Sequence, residues 1–268
     1  MSNEAGERAL EDGIVTDLRD RMTYGSYLDL DRLLGAQHPV STPEHHDELL
    51  FIIQHQTTEL WLKLMLHELG AARDLLAADD LREALKPIAR IKHVQDVITR
   101  QWSVLATLTP TEYAQFRGFL GNASGFQSVQ YRGVEFALGN KNERMLGVFR
   151  NHPGNLALLT AEWERPTLYD EFLRLVARRG LPVPTEILER DVRLPYREHP
   201  ELVPVIREVY EKPHEHWELY EACEELVDVE DNFQFWRFRH LRTVTRTIGR
   251  KVGTGGSSGV DFLQKALS

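Results

Sequence analysis

Apolar positions recur along this chain with the 3.6-residue period of a helix, and no run alternates convincingly with the period of two that marks a half-buried strand. The pattern therefore predicts an all-α fold. A short helix is expected over residues 26–34, stopping at Gly35 with Pro39 beyond it. A long helix follows Pro43 over about residues 44–76. Another covers 81–108, with Ile88, Ile91, Ile98, Trp102 and Leu105 on one stripe. Thr109-Pro110-Thr111-Glu112 is a capping box with proline at the first helical position, so a helix should begin there and end near Gly121. Ser124 and Gln127 repeat the signal for a helix ending at Leu138, before Gly139. Segments 139–166 and 180–204 are proline- and glycine-punctuated connections with shorter helices between them. The last long helix is acidic in its first half (Glu224, Glu225, Asp228, Glu230, Asp231) and basic in its second (Arg237, Arg239, Arg242, Arg246), an order that suits the helix dipole. No internal repeat or low-complexity linker divides the chain. The reading is a flexible N-terminal tail, 1–20, and a single all-α domain, 21–268.

Composition narrows the partners more than the fold. With 268 residues, 42% of them hydrophobic, the chain can bury a sizeable core. Its formal net charge of -9 argues against nucleic acid or an anionic membrane as partner, because phosphate binding needs a positive footprint. One cysteine, Cys223, excludes an intrachain disulfide and any Cys-rich metal site, and points to a reducing compartment. The polar N-terminus is unlike a signal peptide, and no eighteen apolar residues run together, so the expected location is the cytoplasm.

The candidate chemistry is concentrated in a few places. Phe233, Trp236, His240, Val244 and Ile248 fall at three- and four-residue spacing, which sets His240 on an apolar face shared with two aromatics. A neutral imidazole there suits one face of a haem iron; on pattern alone a hydrogen-bonded core histidine is the favoured reading. His55 stands one turn after Phe51 in the apolar run FIIQHQTTELWLKLML, where burial favours its neutral form. It too reads first as a satisfied core histidine. Tyr113 and Arg117 are one turn apart, placing a hydroxyl beside a guanidinium able to clamp a carboxylate, or to make an internal salt bridge. The run Gly253 to Gly259 follows a helix and has Lys251 before it, the reverse of a nucleotide-binding phosphate loop. A mobile loop over a small anionic ligand fits better, with a plain surface linker as the alternative. His45-His46 and His214-Glu215-His216 lack the HExxH arrangement of a zinc site.

Taken in order, MTYGSYLDLDRLL, HHDELLFIIQHQTTELWLKL, QWSVLATLTPTEYAQFRGFLG, SGFQSVQYRGVEFALGNKN, FWRFRHLRT and GTGGSSGV closely resemble the tryptophan 2,3-dioxygenase family, of which indoleamine 2,3-dioxygenase is a distant relative. The resemblance runs from about Arg21 to the C-terminus and is weakest between Asn151 and His216. It implies a helical bundle around a haem b pocket, with His240 as the axial ligand of an iron that is ferrous in the active state. His55 would lie on the distal side and accept a hydrogen bond from the substrate's indole N–H, with Phe51 packed on the ring. Tyr113 and Arg117 would hold the carboxylate, and Thr254 and its loop would cover the amino-acid end. Ser124 and Gly125 match the turn beside the haem, and Trp102 would pack near it. Tyr24, Tyr27 and Leu28 would complete the pocket of a neighbouring subunit in a homotetramer built as a dimer of dimers. Family members continue beyond the position matching Ser268.

The implied reaction opens the C2–C3 bond of L-tryptophan with O2 to give N-formyl-L-kynurenine, the first step of tryptophan degradation by the kynurenine route. The cofactor performs the oxygen chemistry while the protein holds the indole in place and excludes water. Two rival readings stand beside it. One is a relative that inserts a single oxygen atom, or acts on a substituted indole in a biosynthetic pathway. The other is a helical binding or scaffold protein with two structural histidines.

Overall fold

A computed structural model describes residues 11–249, 251, 253–256 and 258–265 of the chain. The first half of the expected tail, Ser257 of the GTGGSSGV motif and the end of the chain at Ser268 lie outside them. Among the described residues every regular element is a helix, so the fold is all-α. The chain divides into two compact units, Met1–Pro39 and Val40–Ser268.

The first unit holds two five-residue helices, α1 (Tyr24–Leu28) and α2 (Leu30–Leu34), in place of the one expected over 26–34. Thr23 starts α1 early, because its side chain accepts from Ser26 N–H in a capping box with Ser26. Asp29 then breaks the run by adopting a left-handed conformation, φ 52°, from which its N–H closes back on the end of α1. Tyr24, Tyr27 and Leu28 are 77%, 73% and 39% exposed on this unit.

The second unit is built on two 32-residue helices, α3 (His46–Ala77) and α11 (Trp217–Ile248), with α4 (Leu81–Leu105) packed against both. The stripe read on α4 is the reason: Ile88, Ile91, Ile98, Trp102 and Leu105 are all buried. Glu48 ties the incoming chain to the start of α3, accepting from Val40 N at 2.7 Å and Ser41 N at 3.1 Å. The Thr109 capping box opens α5 (Pro110–Arg117), which tightens into a 3-10 turn at Gly118–Leu120 instead of continuing to Gly121. The next signal is also displaced. Ser124 accepts from Phe126 N–H, but Gln127 turns away to donate to Asn122 O at 3.2 Å, so Gly125–Gln127 is only a 3-10 turn. Ser128 is the true cap of α6 (Val129–Ala137). This helix lies hard against α3 at Gly133, where an added Cβ would stand 3.0 Å from Leu66 Cδ1.

Shorter helices cover the flank: α7 (Pro153–Glu164), α8 (Leu168–Arg178), α9 (Thr185–Leu188) and α10 (Leu202–Glu211), with α12 (Val260–Lys265) after the glycine loop. The buried Lys141 ammonium joins the end of α7 to the entry of α8, donating to the carbonyls of Glu162, Trp163 and Arg165 at 2.7, 2.9 and 2.6 Å. These carbonyls are ones a helix end leaves unpaired. Cys223, on α11, is a buried free thiol that desolvation pushes up to about 11.

Candidate functional site

Both singled-out imidazoles come from the long helices, one from α3 and one from α11. His240 lies flat against Trp102 of α4, with ring centroids 4.8 Å apart and planes 8° apart, and 5.8 Å from Trp236 on its own helix. This stack fixes the plane of the imidazole. Burial and the nearby His55 push its pKa down to about 4, so the ring is neutral and keeps a lone pair for a metal. The indole N–H groups of Trp102 and Trp236 beside it are buried and meet no acceptor from the protein.

His55 approaches Phe51, one turn earlier on α3, with its Nδ1 2.7 Å from the Phe51 carbonyl oxygen. A carbonyl only accepts, so Nδ1 carries the proton and Nε2 presents a lone pair. Burial lowers the pKa of this imidazole too, outweighing the backbone hydrogen bond that raises it. Phe51 lies 4.2 Å from the His55 ring, 5.6 Å from Tyr113 and 5.6 Å from Phe116, making an aromatic wall between α3 and α5. Phe116 is fully buried and was not singled out by the sequence; its spacing of three from Tyr113 was the available signal.

Tyr113 and Arg117 share one face of α5, as their spacing predicted, and the Arg117 guanidinium is hydrogen-bonded to the phenol. Burial raises the Tyr113 hydroxyl, and the neighbouring guanidinium draws it part of the way back. Both line a cavity of about 360 Å³ together with Gly121, Thr247, Lys251 and Thr254. Thr247, in the last turn of α11, and Lys251, just beyond that helix, were not anticipated.

That loop is fastened to the turn before α6. Thr254 Oγ donates to the Ala123 carbonyl at 2.6 Å. Gly255 packs so closely that an added Cβ would stand 2.6 Å from Ser124 Cβ. Ser124 and Gly125 thus sit in the turn that receives the loop. Tyr24, Tyr27 and Leu28 stand on the first unit, as described above.

Chemically, the arrangement offers one neutral imidazole to a metal, one imidazole acceptor, a carboxylate clamp and a closing loop. Among the described residues no cluster of three or more His, Cys, Asp or Glu side chains could hold a metal ion. A second cavity of about 360 Å³ lies between α8, α10 and α11, lined by Tyr169, Phe172, Tyr196, Tyr210, Cys223 and Leu226. It contains neither imidazole nor the Arg117 clamp. Among the described residues no helix is long and apolar enough to cross a membrane.

The profile of the tryptophan 2,3-dioxygenase family matches residues 10–166 and 157–268. A tryptophan 2,3-dioxygenase of Kineococcus radiotolerans is 66% identical over 269 residues, covering 100% of this chain and 94% of the relative. One from Arthrobacter sp. is 64% identical with the same coverage of both. One from Serratia proteamaculans is 57% identical, covering 97% of this chain and 93% of the relative. With the family profile matched along nearly the whole chain, and relatives this similar over 94% of their own length, the chain belongs to the tryptophan 2,3-dioxygenase family.

Proposed function

We propose that the protein is a haem-dependent dioxygenase that cleaves the indole C2–C3 bond of L-tryptophan with O2, giving N-formyl-L-kynurenine. The observation that carries this reading is a buried imidazole on α11 stacked flat on Trp102, together with a second imidazole on α3 whose Nδ1 is committed to Phe51 and a guanidinium-phenol pair lining a cavity.

The residues fit haem b. His240 would hold the iron through a neutral imidazole nitrogen, its ring plane set by the stack on Trp102. The two unpartnered indole N–H groups suit a ligand that brings acceptor atoms, as the carboxylates of haem do. Ser124 and Gly125, in the turn that receives the glycine loop, would lie against the haem. When bound, the ferrous iron supplies the binding and activation of O2.

The chain's own part is to hold the substrate. Arg117 and Tyr113 take the carboxylate, where a guanidinium gives two parallel hydrogen bonds. The indole N–H donates to His55 Nε2, which is left as an acceptor because Nδ1 is committed to Phe51. His55 orients the ring and does not act as a base; its lone pair marks where the N–H must point. Phe51 packs on the indole. Thr254 closes the amino-acid end while anchored to Ala123, and the closed loop keeps water out. Tyr24, Tyr27 and Leu28 complete the pocket of a neighbouring subunit in a homotetramer, a dimer of dimers, which accounts for their exposure within one chain. The free, buried Cys223 suits a cytoplasmic setting.

The test is a visible spectrum followed by product analysis. Haem-supplemented protein should show a Soret band that His240→Ala abolishes, and product formed under labelled O2 should carry both oxygen atoms. A singly labelled product would favour a monooxygenase; a chain that takes up no haem would sink the reading altogether. His55→Ala should impair turnover and retain haem.

A further inference from the structure

We propose that Glu135 is the positioning residue of the iron ligand His240, and that the Arg132–Glu135–Arg237 cluster it holds together supplies a buried positive charge favouring the reduced state of an iron bound there. This rests on the reading of His240 as the axial ligand.

Glu135 belongs to α6 and its side chain is 5% exposed. It accepts from Arg132 Nη1 one turn back on the same helix, from Arg237 Nη2 on α11 at 3.0 Å, and from Asn140 Nδ2 at 3.4 Å. The two arginine side chains are themselves 7% and 11% exposed. One carboxylate thus faces two guanidiniums that do not lose their protons, leaving one net positive charge away from water. The same three side chains are the charged groups that act on the neighbouring Tyr131 hydroxyl. Aromatic faces offset part of the desolvation cost. Arg237 lies 4.4 Å from the Phe233 ring centroid, and Arg132 lies 4.9 and 5.0 Å from those of Phe126 and Tyr131.

The cluster grips α11 at the turn that carries the imidazole. Arg237 precedes His240 by one helical turn, on the stripe shared with Phe233 and Trp236. Tyr131, hydrogen-bonded to Arg237, packs 5.5 Å from Trp236, which packs 5.8 Å from His240. Two routes therefore run from α6 to the ligand, an ion pair and an aromatic stack. A buried pair of this kind is weak evidence for stability, and the role assigned to it in this proposal is to fix geometry. Its surplus charge is weakly screened, so a metal on His240 feels it. Ferrous iron carries one positive charge less than ferric and is the state that such a cluster favours.

The experiment is a reductive titration of the haem-loaded protein with dithionite and redox mediators, followed by the visible spectrum of the one-electron ferric/ferrous couple. Glu135→Gln raises the cluster charge and should favour the ferrous state by about tenfold, about 59 mV for a one-electron couple. Arg237→Gln removes a charge and should disfavour it by a similar factor, whereas Arg237→Lys should track the wild type. A merely structural role would move all three variants the same way. Shifts of one sign throughout, or an Arg237→Lys protein that coincides with Arg237→Gln, would overturn the proposal. Should Glu135→Gln fail to fold, the two Arg237 variants decide the matter between them. A wild type without a His240-dependent Soret band sinks the axial-ligand reading itself; a wild type that titrates normally, with variants that coincide with it, sinks only the role of the cluster.

Discussion

At the residue scale the chemistry turns on which nitrogen of each histidine is committed. His55 gives Nδ1–H to Phe51 and keeps Nε2 for a donor, while burial holds the ring below its ordinary pKa. The pH behaviour follows with a definite sign. Below the ordinary imidazole value of about 6.5 the unfolded chain takes up a proton that the native His55 refuses. Stability of the haem-free protein should therefore be full above that pH and decline as pH falls below it, with His240 adding to the decline down to about 4. Denaturant unfolding at pH 7 and pH 5 checks this, and His55→Gln should show the smaller difference. For the loaded enzyme, kcat/KM should show no limb at the ordinary imidazole pKa, because the acceptor is already neutral. A clear limb there would contradict the orienting role of His55. Sequence spacing placed both histidines on apolar helix faces, but not their hydrogen bonds or ring planes. Those depend on Phe51 and on Trp102, which the fold brings in from the same helix and from a different one.

At the scale of elements, periodicity located the first two long helices within a few residues and recognised the third without bounding it, because a buried stripe repeats over many turns and averages out local irregularity. Single caps were less legible. Asp29 splits the first helix by a left-handed turn that aspartate tolerates, and Ser128 takes the capping role that Ser124 seemed to claim. The site depends on one of these short pieces, the turn around Ser124 against which the glycine loop closes. Gly255 has no positive φ to defend, so its need is for space alone. Gly255→Ala should strain the closed loop by about 1 to 3 kcal/mol and raise KM for tryptophan by about tenfold, with haem retained. Adding Ser124→Gly removes the opposing Cβ and should recover most of the loss. Steady-state kinetics of the two single variants and the double variant measure the coupling; strictly additive effects would show that the loop does not close on this turn.

At the scale of the whole molecule, composition and charge pointed away from nucleic acid and membranes, and the periodicity gave the fold class. The Arg132–Glu135–Arg237 cluster was only half legible: Arg132 and Glu135 stand one turn apart on α6, but Arg237 reaches them from α11 through packing alone. The proposed assembly makes a test of its own. If Tyr24, Tyr27 and Leu28 complete a neighbour's pocket, a Tyr24→Ala/Tyr27→Ala chain and an Arg117→Gln chain should each be poorly active alone and recover activity when co-assembled. Mixed tetramers no more active than the two parents would argue that each chain builds its own pocket. The lone thiol has a different kind of consequence. Cys223 is 6% exposed and far too weak an acid to react readily where it stands, at about 11. With one cysteine per chain, thiol alkylation reports on a single place, the cavity among α8, α10 and α11, and its rate rises with any opening of the packing there. The molecule thus carries an internal clock for its own breathing, set at a cavity whose lining includes neither His55 nor His240 nor the Tyr113–Arg117 pair, although it shares α11 with His240.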